Sequence, residues 1–430
     1  GQNETSHTTP TLVGSRAVLF SVIFNNRLQD PRIDAVTLDT GERRVVVENG
    51  RDPHYLASGH LLFQRGETLL VAPFDAKGLT LTGPAVPFVD EIRRDGADGT
   101  GQVPQLVVSD NGTVAYVPGV ETTSALVQVS RSGASAVIGP APDRFDFPRI
   151  SPNGQYVAFQ IQQGRRTIVH VYDVVRGTTT RLTQDGTDFS PSWHPNSRQL
   201  AVTSGKTDIS GIFLKDLNGT ERLLVPNPGT TTFVRNSSWS PDGRVLAYTV
   251  QTGSLHDIWV VTADDKSSAQ PLLNGPATEH TPAFSPDGRW LAYVSDQSGR
   301  AEVYVRRYPQ GDTLSVSSGG GQGPVWGRDG REIFFQGSYE GNAKLMVVSV
   351  DMTGNTLRLG RPTPLLDMRV PGSTGAIEQY AGSNNQGPGY DIFPDGKRFV
   401  MIRRADPRGT REIVLIQNFF EELKRLVPTK

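Results

Sequence analysis

One short turn recurs along this chain and limits what it can fold into. Ser-Pro-Asp-Gly stands at Ser240-Pro241-Asp242-Gly243 and again at Ser285-Pro286-Asp287-Gly288. Proline presets φ at the second position, aspartate bonds its own backbone, and glycine closes the turn without a Cβ clash. Relaxed copies are Ser151-Pro152-Asn153-Gly154, His194-Pro195-Asn196-Ser197, Gly327-Arg328-Asp329-Gly330 and Phe393-Pro394-Asp395-Gly396; weaker ones lie around Gly14, Gly59 and Gly112. Counted from the last residue of each turn, the spacings are 45, 53, 42, 43, 46, 45, 42 and 66 residues. Short apolar runs flank the turns: Pro191-Ser192-Trp193 before one, Leu246-Ala247-Tyr248 after another, then Ile258-Trp259-Val260-Val261. A period of about 40–45 residues built from four short strands is the mark of a β-propeller. The chain therefore reads as all-β: a propeller of four-stranded antiparallel blades, eight or nine from nine repeat units, with residues 1–430 as one domain.

In each unit strand A precedes the turn, B follows it, and C and D complete the meander. A lone sheet of this size cannot cover both its faces, so neighbours stack and a ring hides them. The last unit offers A, B and a C strand around Ile413-Val414-Leu415-Ile416, but no D. Residues 1–9 are too polar to supply one, so the sequence leaves the closure of the ring open. Two units carry insertions, at 76–103 and 370–390, of the Gly-, Ser- and Asn-rich kind that forms binding loops or plain surface. Residues 419–430 read as an amphipathic helix that packs Phe420, Leu423 and Val427 on the ring.

A formal charge of −1 gives no basic excess for neutralising phosphates, so no nucleic-acid partner is expected. The absence of cysteine excludes disulfides and thiolate chemistry. No apolar run is long enough for a membrane helix, and no signal peptide is visible. The nearest string to a serine-hydrolase elbow, Gly337-Ser338-Tyr339-Glu340-Gly341, has its serine in the wrong slot. Kinase and HExxH motifs are likewise missing, which leaves enzymatic activity undecided.

The Ser-Pro-Asp-Gly-x-x-Leu-Ala-Tyr core at 240–248 and 285–293 resembles the TolB-like, WD40-like PD40 repeat. His194 for serine, Ser197 for glycine and Gly327-Arg328 for Ser-Pro depart from that pattern. The stretch from Pro282 onward, through Glu302-Val303-Tyr304-Val305 to Glu421-Glu422-Leu423-Lys424, is similar to the C-terminal sensor region of certain bacterial Ser/Thr protein kinases. That resemblance implies an extracytoplasmic binding or interaction module of bacterial origin. It also implies an upstream part beyond Gly1.

In a propeller the loop leading into each A strand lines one end of the central channel. The polar residues there are Asp52, Gln102, Asp146, Asp188, Arg235, Asn236, Gln322 and Gln379, which form the expected ligand-binding ring. His54, Glu279 and His280 are the candidate metal ligands. Histidine with carboxylates suits Mn, Fe or Zn, whereas carboxylates with amides suit Ca. Some TolB-like propellers are metal-dependent lyases, and other propeller families are Ca-dependent lactonases or phosphotriesterases. Two readings follow: a non-catalytic scaffold that takes a protein or small polar ligand at the channel mouth, or a metal-dependent hydrolase or lyase working inside the channel.

Overall fold

The computed structural model describes residues 4–24, 31–66, 68–90, 92, 94–95, 103–109, 111–118, 123–163, 166–184, 186–205, 210–229, 232–352, 354, 356–368, 387–404 and 412–427. They fall into two compact units: Gly1–Glu121 with Asp406–Lys430, and Thr122–Ala405.

The second unit is a closed ring of six antiparallel sheets. Blade 1 runs Phe145–Ile150, Tyr156–Gln163, Arg166–Asp173 and Thr178–Arg181. Blade 2 starts at Asp188–Trp193, blade 3 at Thr232–Trp239, blade 4 at Glu279–Phe284 and blade 5 at Gly321–Trp326. Blade 6 is built from both ends of the unit: Tyr390–Ile392 and Arg398–Arg404 are its inner strands, Ser124–Ser130 and Ser135–Val137 its outer ones. The seam pairs Ser124 with Arg404, Val127 with Met401 and Ser130 with Arg398.

Burial on both faces explains why the B strands read as unbroken apolar runs rather than alternating ones. Successive residues of one strand enter different cores. Phe334 packs with blade 6, against Tyr390 and Phe399, while Phe335 packs with blade 4, beside Val303. At the seam Leu126 joins Phe145 and Phe159 of blade 1, and Val127 joins the blade 5 side. The interfaces of blades 1–2, 2–3 and 3–4 have the same design around Trp193, Trp239 and Phe284.

The repeated turn carries its own hydrogen-bond device. In the copy at 285–288, Ser285 Oγ donates to Asp287 Oδ1 at 2.6 Å and accepts from Trp290 N at 3.0 Å. The copies at 240–243 and 151–154 repeat it, with Val245 N to Ser240 Oγ and Tyr156 N to Ser151 Oγ both at 2.9 Å. The serine thus fixes the register of strand B as well as the turn.

The first unit holds four further sheets, one of them the short pair Arg94–Asp95 with Val103–Pro104. Glu4–Val13, Ala17–Phe24, Arg32–Thr37 and Arg43–Val47 form one. Arg51–Leu56, His60–Arg65 and Thr68–Asp75 form the second, with Thr80–Leu81 and Val86–Asp90 both on its third strand. The last consists of Leu106–Val108, Val114–Tyr116 and Val414–Ile416. The helix Phe419–Leu426 buries Phe419, Leu423 and Val427 against Leu56, Leu62 and Leu69 of this unit, with Phe420 at the edge of the cluster.

The propeller class expected from the repeats is therefore present, with a corrected blade count: six of the nine copies share the ring, not eight or nine. The reason lies in strand pairing. The B strand of the last copy, Arg398–Arg404, takes Ser124–Ser130 as its neighbour rather than the following Val414–Ile416. Val414–Ile416 pairs instead with Val114–Tyr116.

Candidate ligand channel of the second unit

Each inner strand of blades 1 to 5 is broken by a β-bulge. The register shifts between Asp146 and Arg149, Phe189 and Ser192, Arg235 and Ser237, His280 and Ala283, and Gln322 and Val325. In four of them a residue in the left-handed region precedes a proline: Phe147 at φ 48°, Ser190 at 51°, Thr281 at 55° and Gly323 at 58°. Proline cannot donate to a ladder, so it is tolerated in a strand at such a bulge. The bulge re-aims the half of each strand nearest the repeated turn.

At that end lies a cavity of about 450 Å³ lined by residues of all six blades. Its walls carry Trp193, Trp239, Trp326 and Phe284 on the strands and Pro152, Pro195, Pro241 and Pro286 on the turns, interspersed with polar side chains. Trp193 Nε1 donates to Arg149 O at 2.9 Å and Trp326 Nε1 to Ala283 O at 3.0 Å, so each ring is tied to the preceding blade. Arg149, Arg328 and Asp391 are the charged residues of the lining. Asp391 accepts from Ile150 N and Ile392 N, both at 2.8 Å. Arg149 Nη1 donates to Pro148 O and Pro388 O at 2.8 Å, and burial lowers its pKa. Arg328 Nη2 reaches Ile150 O at 3.3 Å and lies 3.8 Å from Asp391 Oδ2.

The polar ring expected from the sequence sits at the opposite ends of the inner strands. Asp146, Asp188, Arg235, Glu279, His280 and Gln322 belong to this unit, and none lines the cavity. Asp188 is buried 3.9 Å from Lys215 Nζ, and Arg235 Nη2 donates to Gln251 Oε1. Burial lifts the Asp146 carboxyl to about 6. Asp52 and His54 belong to the first unit; Asp52 N donates to Ser21 Oγ at 2.8 Å, and burial lowers the His54 pKa. Gln102, Gln379 and the Asn236 side chain lie outside the described residues, as do most of the 370–390 insertion and part of the 76–103 one. The proposed metal ligands His54, Glu279 and His280 are thus divided between the units. Among the described residues no three His, Cys, Asp or Glu side chains gather as a metal-binding group.

Glu279 and His280 instead form a buried polar cluster between blades 3 and 4. His280 Nδ1 pairs with Thr281 Oγ1 at 2.8 Å, and its ring meets that of His256 at 5.8 Å. Burial pushes the His280 imidazole down to about 3 and His256 to about 4. The Glu279 carboxyl is pushed up to about 7 by burial, with Asp257 and Asp296 adding to the rise. The folded state therefore holds a Glu279 proton that the unfolded chain, with its ordinary value of 4.5, releases. Its contribution turns unfavourable as pH rises from 4.5 to about 7 and is constant beyond. Glu279→Gln is expected to stabilise the protein at pH 8, by on the order of 2 kcal/mol, and to leave it unchanged at pH 4. The histidines act in the opposite sense, losing stability as pH falls below 6.5, but they are common to parent and variant. Denaturant titrations of both proteins across this pH range isolate the Glu279 term; an offset independent of pH would refute it.

The sequence held two signals for this cavity that composition does not expose. One is the x-Pro step inside successive inner strands. The other is Arg328, which occupies the slot filled by Pro152, Pro195, Pro241, Pro286 and Pro394 in the sister turns.

The fold and site define a six-bladed antiparallel propeller with an axial, aromatic-walled cavity. Within it, residues 188–363 match the family described as TolB beta propeller domain, PD40. The TolB homolog of Chlorobium chlorochromatii is 31% identical over 102 residues, 24% of this chain and 22% of that protein. The Tol-Pal system protein TolB of Bordetella pertussis is 28% identical over 127 residues, 29% of this chain and 28% of that protein. These matches span about a quarter of the relatives' own lengths. The putative TolB from Agrobacterium tumefaciens aligns with a TM-score of 0.49 and 18% identity, over 67% of this chain and 100% of that one. No helix among the described residues is long and apolar enough to cross a membrane.

Proposed function

We propose that this chain is a non-catalytic binding module acting outside the cytoplasm, whose second unit takes a polypeptide segment at the mouth of its central channel. The observation that carries this is the cavity between the turns: about 450 Å³, walled by tryptophan and proline from all six blades. Concave, preformed and mostly apolar surfaces with few polar groups are what ligands select. Rings fixed by packing and by backbone hydrogen bonds lose little conformational entropy when a ligand arrives. The extracytoplasmic setting rests on the similarity to TolB proteins and to sensor regions. Ser237, half-buried on the cavity wall, gives the test. Peptides selected from a displayed library on the full chain are expected to lose about tenfold in affinity for Ser237→Arg, which fills the mouth. Peptides that bind parent and variant equally would place recognition elsewhere and sink this reading.

A further inference from the structure

We propose that the polypeptide taken by this channel presents a carboxylate, received by Arg328. The proposal rests on the channel reading above and specifies its ligand.

The break in the repeat carries the argument. Five of the six turns around the ring put proline at their second position, and the blade 5 turn puts Arg328 there. One guanidinium thus replaces a pyrrolidine at a rim that is otherwise proline. The other charges of the lining are committed. Asp391 serves two backbone N–H groups, and Arg149 serves two backbone carbonyls. Arg328 has a single long hydrogen bond, 3.3 Å to Ile150 O, and a 3.8 Å approach to Asp391. Its Nε lies buried with no hydrogen-bond partner among the described residues. A guanidinium presents a planar fork of donors that fits a carboxylate in two-point contact. Arg149 and Arg328 against Asp391 leave one net positive charge in the lining, which suits a singly charged group. A doubly charged phosphate would meet the Asp391 carboxylate at close range. The apolar walls then accept the residues that carry the carboxylate. Its source is either the C-terminus of a chain or an aspartate or glutamate side chain.

The test uses the full chain and hexapeptide libraries in three forms: free C-terminal acids lacking Asp and Glu, C-terminal amides containing them, and C-terminal amides lacking them. Arg328→Pro restores the residue of the sister turns and is expected to fold, which circular dichroism checks. Retention of the free acids with about a tenfold loss in Arg328→Pro identifies a C-terminal carboxylate. The same pattern for Asp- and Glu-containing amides identifies a side-chain carboxylate. Arg328→Lys keeps the charge without the fork and is expected to fall between. If the uncharged amides bind as well as the others and Arg328→Pro changes nothing, the carboxylate proposal is overturned while the channel reading stands. If no library binds, or Ser237→Arg leaves binding intact, both are overturned.

Discussion

Asp391→Ala is expected to destabilise the second unit by about 3–5 kcal/mol, the range for leaving buried polar and charged groups without partners. Asp391 is only 8% exposed, and its two oxygens are both in use. Oδ1 takes the N–H of Ile392 within blade 6, and Oδ2 takes that of Ile150 in blade 1. The side chain therefore pins the seam blade to its neighbour at the wall of the cavity. Alanine strands both N–H groups and removes the carboxylate facing Arg328 and Arg149. Asp391→Asn keeps one acceptor oxygen and loses the charge, so its cost should fall near half. Urea titration of the full chain, followed by tryptophan fluorescence, measures both. An alanine variant within about 1 kcal/mol of the parent would show that the seam does not depend on this residue.

Phe399→Ala tests the same closure from its apolar side, with an expected loss of about 3–5 kcal/mol. Phe399 is fully buried on the strand that joins Ser124–Ser130, paired with Val129. Its ring meets Phe334 of blade 5 edge-on at 5.1 Å and 81°, and Tyr390 at 6.4 Å. Truncation opens a cavity between blades 5 and 6 that backbone pairing on either side prevents from collapsing. Amides of residues 124–130 should then exchange faster than those of blade 3, because the seam is where the ring opens. Uniform acceleration around the ring would argue that closure is no weaker than the other interfaces.

Much of this architecture was legible in the residues. The Ser-Pro-Asp-Gly turns, their spacing and the apolar runs beside them specify four-stranded meanders, and each acts within a few residues of itself. Ser285 bonds Asp287 and Trp290, a contact set contained in six residues of chain. The helix at the C-terminus was equally local, although Phe419 rather than Phe420 lies deepest in its cluster. The cavity was less legible. Asp146, Asp188, Glu279 and Gln322 are the polar residues at the starts of inner strands, whereas the cavity lies at the other ends, past bulges that no composition rule marks.

What the amino-acid sequence determined by itself is thus the repeat: its turns, its strands and the class of ring they can build. Only the tertiary structure decided which copies share that ring. Arg398–Arg404 and Val114–Tyr116 are both apolar strands that take one neighbour from their own hairpin and a second from a distant part of the chain, Ser124–Ser130 and Val414–Ile416 respectively. Hydrogen bonding along a strand edge is nearly indifferent to such a choice. The packing of Leu126 into blade 1 and Val127 toward blade 5 is not, because six blades close only when that strand fills the seam.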